Sequence, residues 1–307
     1  MRAAASEPSF AMSRRYLYFA IFGAIATLAF GKVLFQWALF GWGHELFSHV
    51  LLVPFISAYL IWIRRAEIDG ETRPAYWVGT GLLAGAMLLV ATYWSASRAE
   101  KSPTQSDALA IQMLAFWCVL MSGLAFSFGT SMLRRFCFPL GFLLFAIPFP
   151  DFLTAWVTRG LQLGSAEAAD LLLSLSGMPV LRQDVTVFIL PGFTMRVAEE
   201  CSGIHSTLVL LIVSFVASYL VLRTTRNRII LLLAVIPLAL LRNGLRIFTI
   251  GQLCVNVDPE MIHSYIHRKG GPIFFVLSLI PFFALLLFLR KREGPGERAT
   301  RTQGPQV

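Results

Sequence analysis

Charged residues are scarce in this chain of 307 amino acids, at 14% of the sequence. Soluble globular proteins carry about 25%, so the deficit excludes an ordinary cytosolic enzyme, a disordered chain and a nucleic-acid-binding protein. Four cysteines are too few for a disulfide scaffold, and no two of them form a CxxC pair or a zinc-type spacing. Because 56% of the residues are hydrophobic and the 26 basic residues outnumber the 17 acidic ones, the composition predicts a membrane protein.

Eight apolar windows approach or exceed the length that crosses a hydrocarbon core of roughly 30 Å. They lie near 16–40, 47–63, 75–94, 108–130, 136–150, 203–222, 228–250 and 271–289. The second and fifth are short, which favours a tilted or re-entrant segment at those positions. We therefore predict an all-α polytopic membrane protein with about eight transmembrane helices. Its parts are a cytoplasmic segment 1–15, a transmembrane domain 16–290 and a cytoplasmic tail 291–307.

The distribution of basic residues predicts the orientation of these spans. With the N-terminus in the cytoplasm, sixteen of the 26 Lys and Arg residues fall on the cytoplasmic side, as the positive-inside rule requires. The predicted location is therefore the cytoplasmic (inner) membrane, with 151–200 as a long extracytoplasmic insertion. The first half of that insertion has helical periodicity up to Gly177, and the second alternates polar and apolar residues around Pro191-Gly192. This pattern predicts a helix followed by a small β-hairpin.

Three segments carry ionisable residues in or beside predicted spans, where such residues mark functional sites by default. They are AEECSGIHS, with Glu200, Cys201 and His205; LRNGLRI, with Arg242, Asn243 and Arg246; and MIHSYIHRKGG, with His263 and His267. From Arg228 to Arg246 a helix rises about 27 Å, which brings Arg246 to the outer interface. Cys201 and His267 precede the sixth and eighth spans at that same interface. We therefore expect the three segments to form one site.

The residue types in these segments suit thiol chemistry. A cysteine attacks as its thiolate, and a neighbouring imidazole lowers the pKa of the thiol. Cys201 is predicted at the N-terminal end of a helix, where the helix dipole favours negative charge. An arginine at the same depth would stabilise the oxyanion that forms during acyl transfer.

These motifs resemble those of the exosortase/archaeosortase family of polytopic membrane cysteine peptidases. AEECSGIHS is similar to the family's cysteine motif, RNGLRI to its second motif ending on Arg246, and HRKGGPIFF to its third motif with His267. FSHVLLVPFISAYLIWIRR resembles the N-terminal signature around His49. In order, these segments cover most of residues 47–290.

The resemblance implies a peptidase or transpeptidase that cuts the C-terminal transmembrane sorting tail of exported proteins. The cut would be made at the outer face of the bilayer that the enzyme spans. A lipid or glycan acceptor and a link to exopolysaccharide production are also implied. Cys201 is the expected nucleophile, His267 its base, and Arg246 the residue that stabilises the oxyanion or orients the substrate. Accessory candidates are His205, Arg242, Asn243, Glu200, His263 and His49. We expect no cofactor, no metal and no nucleic acid, and contacts with membrane lipids.

Four alternatives stay open at this stage. His205, one helical turn from Cys201, and then His263 compete with His267 for the role of base. A disulfide between Cys201 and Cys254 would make the cysteine structural. A metal-dependent intramembrane hydrolase would use the same histidines and glutamates, although no HExxH spacing is present. A transporter or assembly protein of polysaccharide export would usually carry internal repeats, and none is evident.

Overall fold

The computed structural model describes residues 10–67, 73–99, 102–197, 202–258, 260–261 and 270–293. Its helices confirm the predicted all-α polytopic class. Within those ranges, six helices are long and apolar enough to cross a membrane, or up to eight if each of two bent helix pairs counts as one span. The backbone divides into two compact units, residues 1–154 and 155–307, which are described separately.

The first predicted span is not one continuous helix. Helix α1 covers Phe10–Ala29 and α2 covers Gly31–Gly43, and the two are bent by 69° at Phe30. Phe30 leaves helical geometry, and Gly31 follows it. Glycine is a weak helix former and a common companion of kinks, which accounts for a break that hydropathy alone does not register.

The rest of the first unit holds four more helices and a series of short 3₁₀ turns. These helices are α3 (Val53–Ile63), α4 (Tyr76–Ser97), α5 (Gln105–Arg135) and α6 (Cys137–Phe142). Helix α6 and the 3₁₀ turn after it stop before Pro148 and Pro150, so the short fifth span is interrupted before the next helix. Helix α5 is itself broken at Gly129, whose φ of 75° is in the left-handed region. The carbonyl of Arg73 lies only 1.8 Å from where a Cβ of residue 129 would be.

The predicted insertion folds as a helix and a small sheet. Helix α7 covers Asp151–Leu175, and Gly177, with φ of 74°, follows its end as predicted. Strands β1 (Leu181–Asp184), β2 (Val187–Leu190) and β3 (Phe193–Arg196) form an antiparallel sheet in the order β1-β2-β3. The hairpin around Pro191-Gly192 is present as β2–β3. Strand β1 was not predicted, because its residues are mostly exposed and lack an apolar alternation.

Three helices of the second unit pack as a bundle: α8 (Ile204–Val221), α9 (Thr225–Asn256) and α10 (Gly271–Arg292). Their shared core consists of Leu210, Leu222, Leu231, Val235, Phe282, Leu286 and Leu289. Helix α9 has 32 residues and is therefore about 48 Å long, longer than the roughly 30 Å hydrocarbon core of a bilayer. Its last part belongs to a second core with α7 and the sheet, formed by Ala166, Ala169, Leu173, Phe188, Leu190, Met195, Val197, Ile247, Ile250 and Cys254.

Candidate active site

Gly203 begins helix α8 in a conformation that requires glycine. Its φ of 71° and ψ of 21° are left-handed, which costs any L-residue with a side chain free energy. A Cβ at this position would lie 2.6 Å from Nη2 of Arg242 and 3.1 Å from Oδ1 of Asn243. The backbone two residues after Cys201 therefore packs directly on α9, with no room for a side chain between them.

Arg242 connects α9 to this backbone by hydrogen bonds. Its Nη2 donates to the carbonyl of Gly203 at 3.1 Å and to Oγ1 of Thr207 at 3.3 Å. The side chain is only 6% exposed, and its Nη1 atom is buried with no hydrogen-bond partner among the residues that the structure describes. A buried arginine of this kind fixes the position of the groups that it contacts, because leaving it unpaired costs several kcal/mol.

Asn243 and Arg246 lie beside Arg242 on α9. Asn243 is 2% exposed and borders Gly203. Arg246 is half-buried and follows Arg242 by four residues, so the two arginines share one face of the helix. Along α9, all three residues lie between Val235, which belongs to the bundle core, and Ile247, which belongs to the second core. They form a polar layer between the two apolar cores.

A second hydrogen bond fixes the chain on the other side of the cysteine. Nε2 of Gln162, on α7, donates to the carbonyl of Val197 at 2.6 Å, and Nη1 of Arg159 donates to Oε1 of Gln162 at 2.9 Å. Gln162 is 4% exposed. The sequence reasoning did not select Gln162. A feature of the sequence that could have indicated Gln162 is its place on the same helix face as the small residues Ser165 and Ala169. Both of these residues are fully buried in the structure.

On either side of residues 198–201, a described residue accepts a hydrogen bond from a helix side chain. Val197 is held from α7 and Gly203 from α9. Both donors are side chains of helices in the same unit.

The lengths of the helices bring the start of α10 to the same end of the bundle. Helices α8 and α9 are joined by residues 222–224, so Gly203 and Arg242 are each about 26 Å from that connection. At the end of α10, Glu293 accepts hydrogen bonds from the backbone N–H groups of Arg223 and Thr224. Helix α10, with 22 residues, therefore begins about 33 Å away. We call this the Gly203 end of the bundle.

A cavity supports this arrangement of α9 and α10. It has a volume of about 200 Å³ and is lined by Leu238, Leu241, Arg242 and Leu245 from α9 and by Phe274, Leu277, Ser278, Ile280 and Pro281 from α10. Arg242 and Phe274 thus face the same space. Phe274 is in the first turn of α10, seven residues after His267 in the chain.

The remaining predicted site residues fall into two groups. His205 lies in the first turn of α8 and is exposed. His49 belongs to the first unit, where it is 8% exposed and its Nδ1 lies 3.1 Å from the carbonyl of Leu46. Four other predicted residues lie outside the described ranges: Glu200, Cys201, His263 and His267. Cys254, the rival disulfide partner, is 1% exposed within the core of α7, α9 and the sheet.

The comparison with protein families decides the assignment. Residues 37–284 match the family model of the transmembrane exosortase (Exosortase EpsH). The chain belongs to the transmembrane exosortase family. The matched region includes AEECSGIHS, LRNGLRI and HRKGG, and so contains every residue of the Gly203 end described above. No curated protein and no solved structure matched the chain significantly.

Exosortase membership and the apolar helices make this chain a multi-pass membrane protein. Membership also supports a membrane transpeptidase or sortase-like role. As to metal ions, the described residues contain no group of three His, Cys, Asp or Glu side chains that would hold one. Glu200, His263 and His267, which a metal site would also use, lie outside the described residues.

Proposed function

We propose that this exosortase is a membrane cysteine peptidase or transpeptidase that cuts C-terminal sorting tails from exported proteins. Cys201 is the nucleophile, His267 its general base, and Arg246 the group that stabilises the oxyanion. The observation that carries the proposal is the convergence of three motif-bearing elements at the Gly203 end: the start of α8, residues 242–246 of α9 and the start of α10.

The chemistry of the proposal is acyl transfer in two steps. His267 takes the proton of the Cys201 thiol, and the thiolate attacks the scissile carbonyl, whose oxyanion interacts with Arg246. When the peptide C–N bond breaks, the imidazolium returns the proton to the leaving amine, and the substrate remains as a thioester on Cys201. Water or the amine of an acceptor then attacks the thioester and releases the thiolate. A lipid or glycan amine is the proposed acceptor.

Arg242 has a positioning role in this scheme rather than a chemical one. Its buried guanidinium is already engaged with the Gly203 carbonyl and the Thr207 hydroxyl. Arg246 is more exposed and one turn further along the same face, so it has more room to meet a substrate. Asn243 fills the space beside Gly203, and Glu200, His205, His263 and His49 remain accessory candidates.

The orientation of the protein would match that of its substrate. The positive-inside rule puts the connection between α8 and α9, with Arg223, Arg226 and Arg228, in the cytoplasm. The Gly203 end would then face the extracytoplasmic side of the inner membrane. A sorting tail with a cytoplasmic basic cluster obeys the same rule, so its cleavage motif would lie at the depth of Cys201. We further propose that the products serve exopolysaccharide or extracellular-matrix production.

A comparison of C-terminal peptides tests the proposal without knowledge of the substrate. Mass spectrometry of the exported and membrane proteome is carried out on the native strain, a Cys201→Ala strain and a Cys118→Ala strain. Cys118 is the matched control, because it is a half-buried cysteine of α5. We expect a set of proteins to keep hydrophobic, basic-ended tails only in the Cys201→Ala strain. Identical tails in all three strains, with the variant protein at normal abundance, would refute the peptidase proposal.

Two other functions give different results in further experiments. A metal-dependent hydrolase would lose its processing activity in membranes treated with a chelator, whereas a cysteine peptidase would keep it. A transporter or assembly protein would leave all C-terminal tails unchanged in the Cys201→Ala strain. Within the peptidase proposal, unchanged processing by His267→Ala would reassign the base to His205 or, failing that, to His263.

A further inference from the structure

The first unit carries a long groove along α4 that the proposed reaction does not use. It has a volume of about 570 Å³, within the range of pockets that hold small molecules. Most of its wall is one side of α4, and Phe30 and Val119 of α5 complete it. The α4 residues are Leu83, Ala86, Met87, Val90, Ala91, Trp94 and Ser95, and Arg98 directly follows the helix.

The shape of the groove matches one leaflet of a bilayer. From Leu83 to Trp94 the helix rises about 16 Å, which is close to half of the roughly 30 Å hydrocarbon core. Every lining residue in that stretch is apolar. Tryptophan side chains are enriched at the membrane interface, and Arg98 lies about 6 Å beyond Trp94 along the axis. With Trp94 at the interface, Arg98 would lie at the depth of the lipid headgroups.

The headgroup end of the groove carries the positively charged side chain of Arg98. The guanidinium of Arg98 rests over the ring of Trp94, 5.3 Å from its centroid. It makes no ion pair with any of the residues described. Arginine offers several N–H donors in a planar fork that suits phosphate oxygens.

Small side chains and the break in the first span leave room for the ligand. Ala86 and Ala91 face the groove where larger residues would fill it, and Phe30 lies at the bend between α1 and α2. Only 11% of the apolar window of α4 is buried inside the protein, so this helix faces the surroundings. An apolar groove that is open to the bilayer and ends in a cationic side chain matches the polarity of a phospholipid, which has apolar chains and a charged headgroup.

We propose that this groove is a binding site for an anionic phospholipid. One acyl chain lies along Leu83, Met87, Val90 and Ala91, and the phosphate pairs with Arg98 above Trp94. The site is separate from the proposed acyl-transfer chemistry, so its occupancy is independent of Cys201. An anionic headgroup is favoured over a zwitterionic one because an ammonium group would bring a second positive charge next to the guanidinium.

Native mass spectrometry of the full chain in detergent tests this site. The purified protein is titrated with dioleoylphosphatidylglycerol and, separately, with dioleoylphosphatidylcholine. We expect Arg98→Gln to weaken binding of the first bound phosphatidylglycerol about fivefold, the ratio that corresponds to about 1 kcal/mol for a basic residue at an anionic membrane surface. Binding of phosphatidylcholine should change little. Ala91→Trp should weaken binding of both lipids, because the indole would occupy the path of the acyl chain.

Arg65→Gln is the matched control. Arg65 also stacks on a tryptophan, Trp62, at 4.5 Å from the ring centroid, but it lines no part of the groove. The proposal predicts that Arg65→Gln leaves phosphatidylglycerol binding unchanged. Equal losses for Arg98→Gln and Arg65→Gln would overturn it in favour of nonspecific attraction to the annular lipid. Unchanged binding of both lipids to a folded Ala91→Trp variant would overturn it as well.

Discussion

Substitution of Gly203 by alanine probes the backbone geometry next to the proposed nucleophile. The left-handed conformation of residue 203 costs an alanine about 1–2 kcal/mol. The new Cβ would lie 2.6 Å from Nη2 of Arg242, so the guanidinium has to move and lose its hydrogen bond to the Gly203 carbonyl. A buried hydrogen bond from a charged group contributes about 1.5–3 kcal/mol. We therefore expect Gly203→Ala to lower the free energy of unfolding by about 2.5–5 kcal/mol.

The control for this prediction is Gly177→Ala. Gly177 has nearly the same φ, 74°, but nothing lies within 4 Å of its added Cβ, so only the backbone cost of about 1–2 kcal/mol applies. Both variants are unfolded in mixed micelles of dodecylmaltoside and sodium dodecyl sulfate and followed by circular dichroism. The difference between them should be about 2 kcal/mol. Equal losses of free energy of unfolding in the two variants would show that the contact of Arg242 with Gly203 does not stabilise the protein.

Three further substitutions test the neighbouring contacts. Arg242→Lys keeps the charge but replaces the planar fork by a single ammonium. We expect about tenfold slower tail processing in cells at equal protein level, and wild-type processing would contradict the positioning role. Gln162→Leu should destabilise the chain by about 1–3 kcal/mol in the same unfolding assay, because the Val197 carbonyl stays buried without its donor; no loss would contradict this. For Glu293, burial raises the pKa of the carboxyl, but hydrogen bonds from Thr224 and its neighbours outweigh it and lower the pKa from 4.5 to about 2. The ionised carboxyl therefore stabilises the fold by about 1 kcal/mol after solvent screening, fully above pH 4.5 and less and less as the pH falls to 2. We expect Glu293→Gln to lower the free energy of unfolding at pH 6 and to have almost no effect on it at pH 2.

Hydropathy predicted about eight spans, the upper end of the six to eight that the described residues give, because a long apolar window is a requirement of the bilayer itself. It did not predict breaks within the helices. The bend at Phe30 and the left-handed Gly129 depend on how neighbouring backbone packs, as the contact of Arg73 with residue 129 illustrates. Strand β1 was missed for a related reason: it joins the sheet by backbone pairing with β2, while its side chains remain mostly exposed.

The candidate site was predictable in part because helix length converts sequence separation into depth. Counting residues from Arg228 to Arg246 was enough to expect Arg246 near the start of the sixth span. The structure brings Arg242, one turn earlier on the same helix, against Gly203. The choice of partners was not predictable. That Arg242 would donate to the carbonyl of Gly203, and that Gln162 would hold Val197 from α7, depends on side-chain directions across packed helices. A resemblance in motifs identifies residues that do chemistry more readily than residues that hold a backbone.

Direct detection of the acyl-enzyme tests the central claim that Cys201 is a nucleophile. Membranes active in tail processing are quenched in acid, and the peptide containing Cys201 is analysed by mass spectrometry with and without hydroxylamine. We predict a thioester adduct on Cys201 that hydroxylamine removes, with release of the substrate's new C-terminus as a hydroxamate. Active processing with an unmodified Cys201, or with the adduct on another residue, would contradict the account.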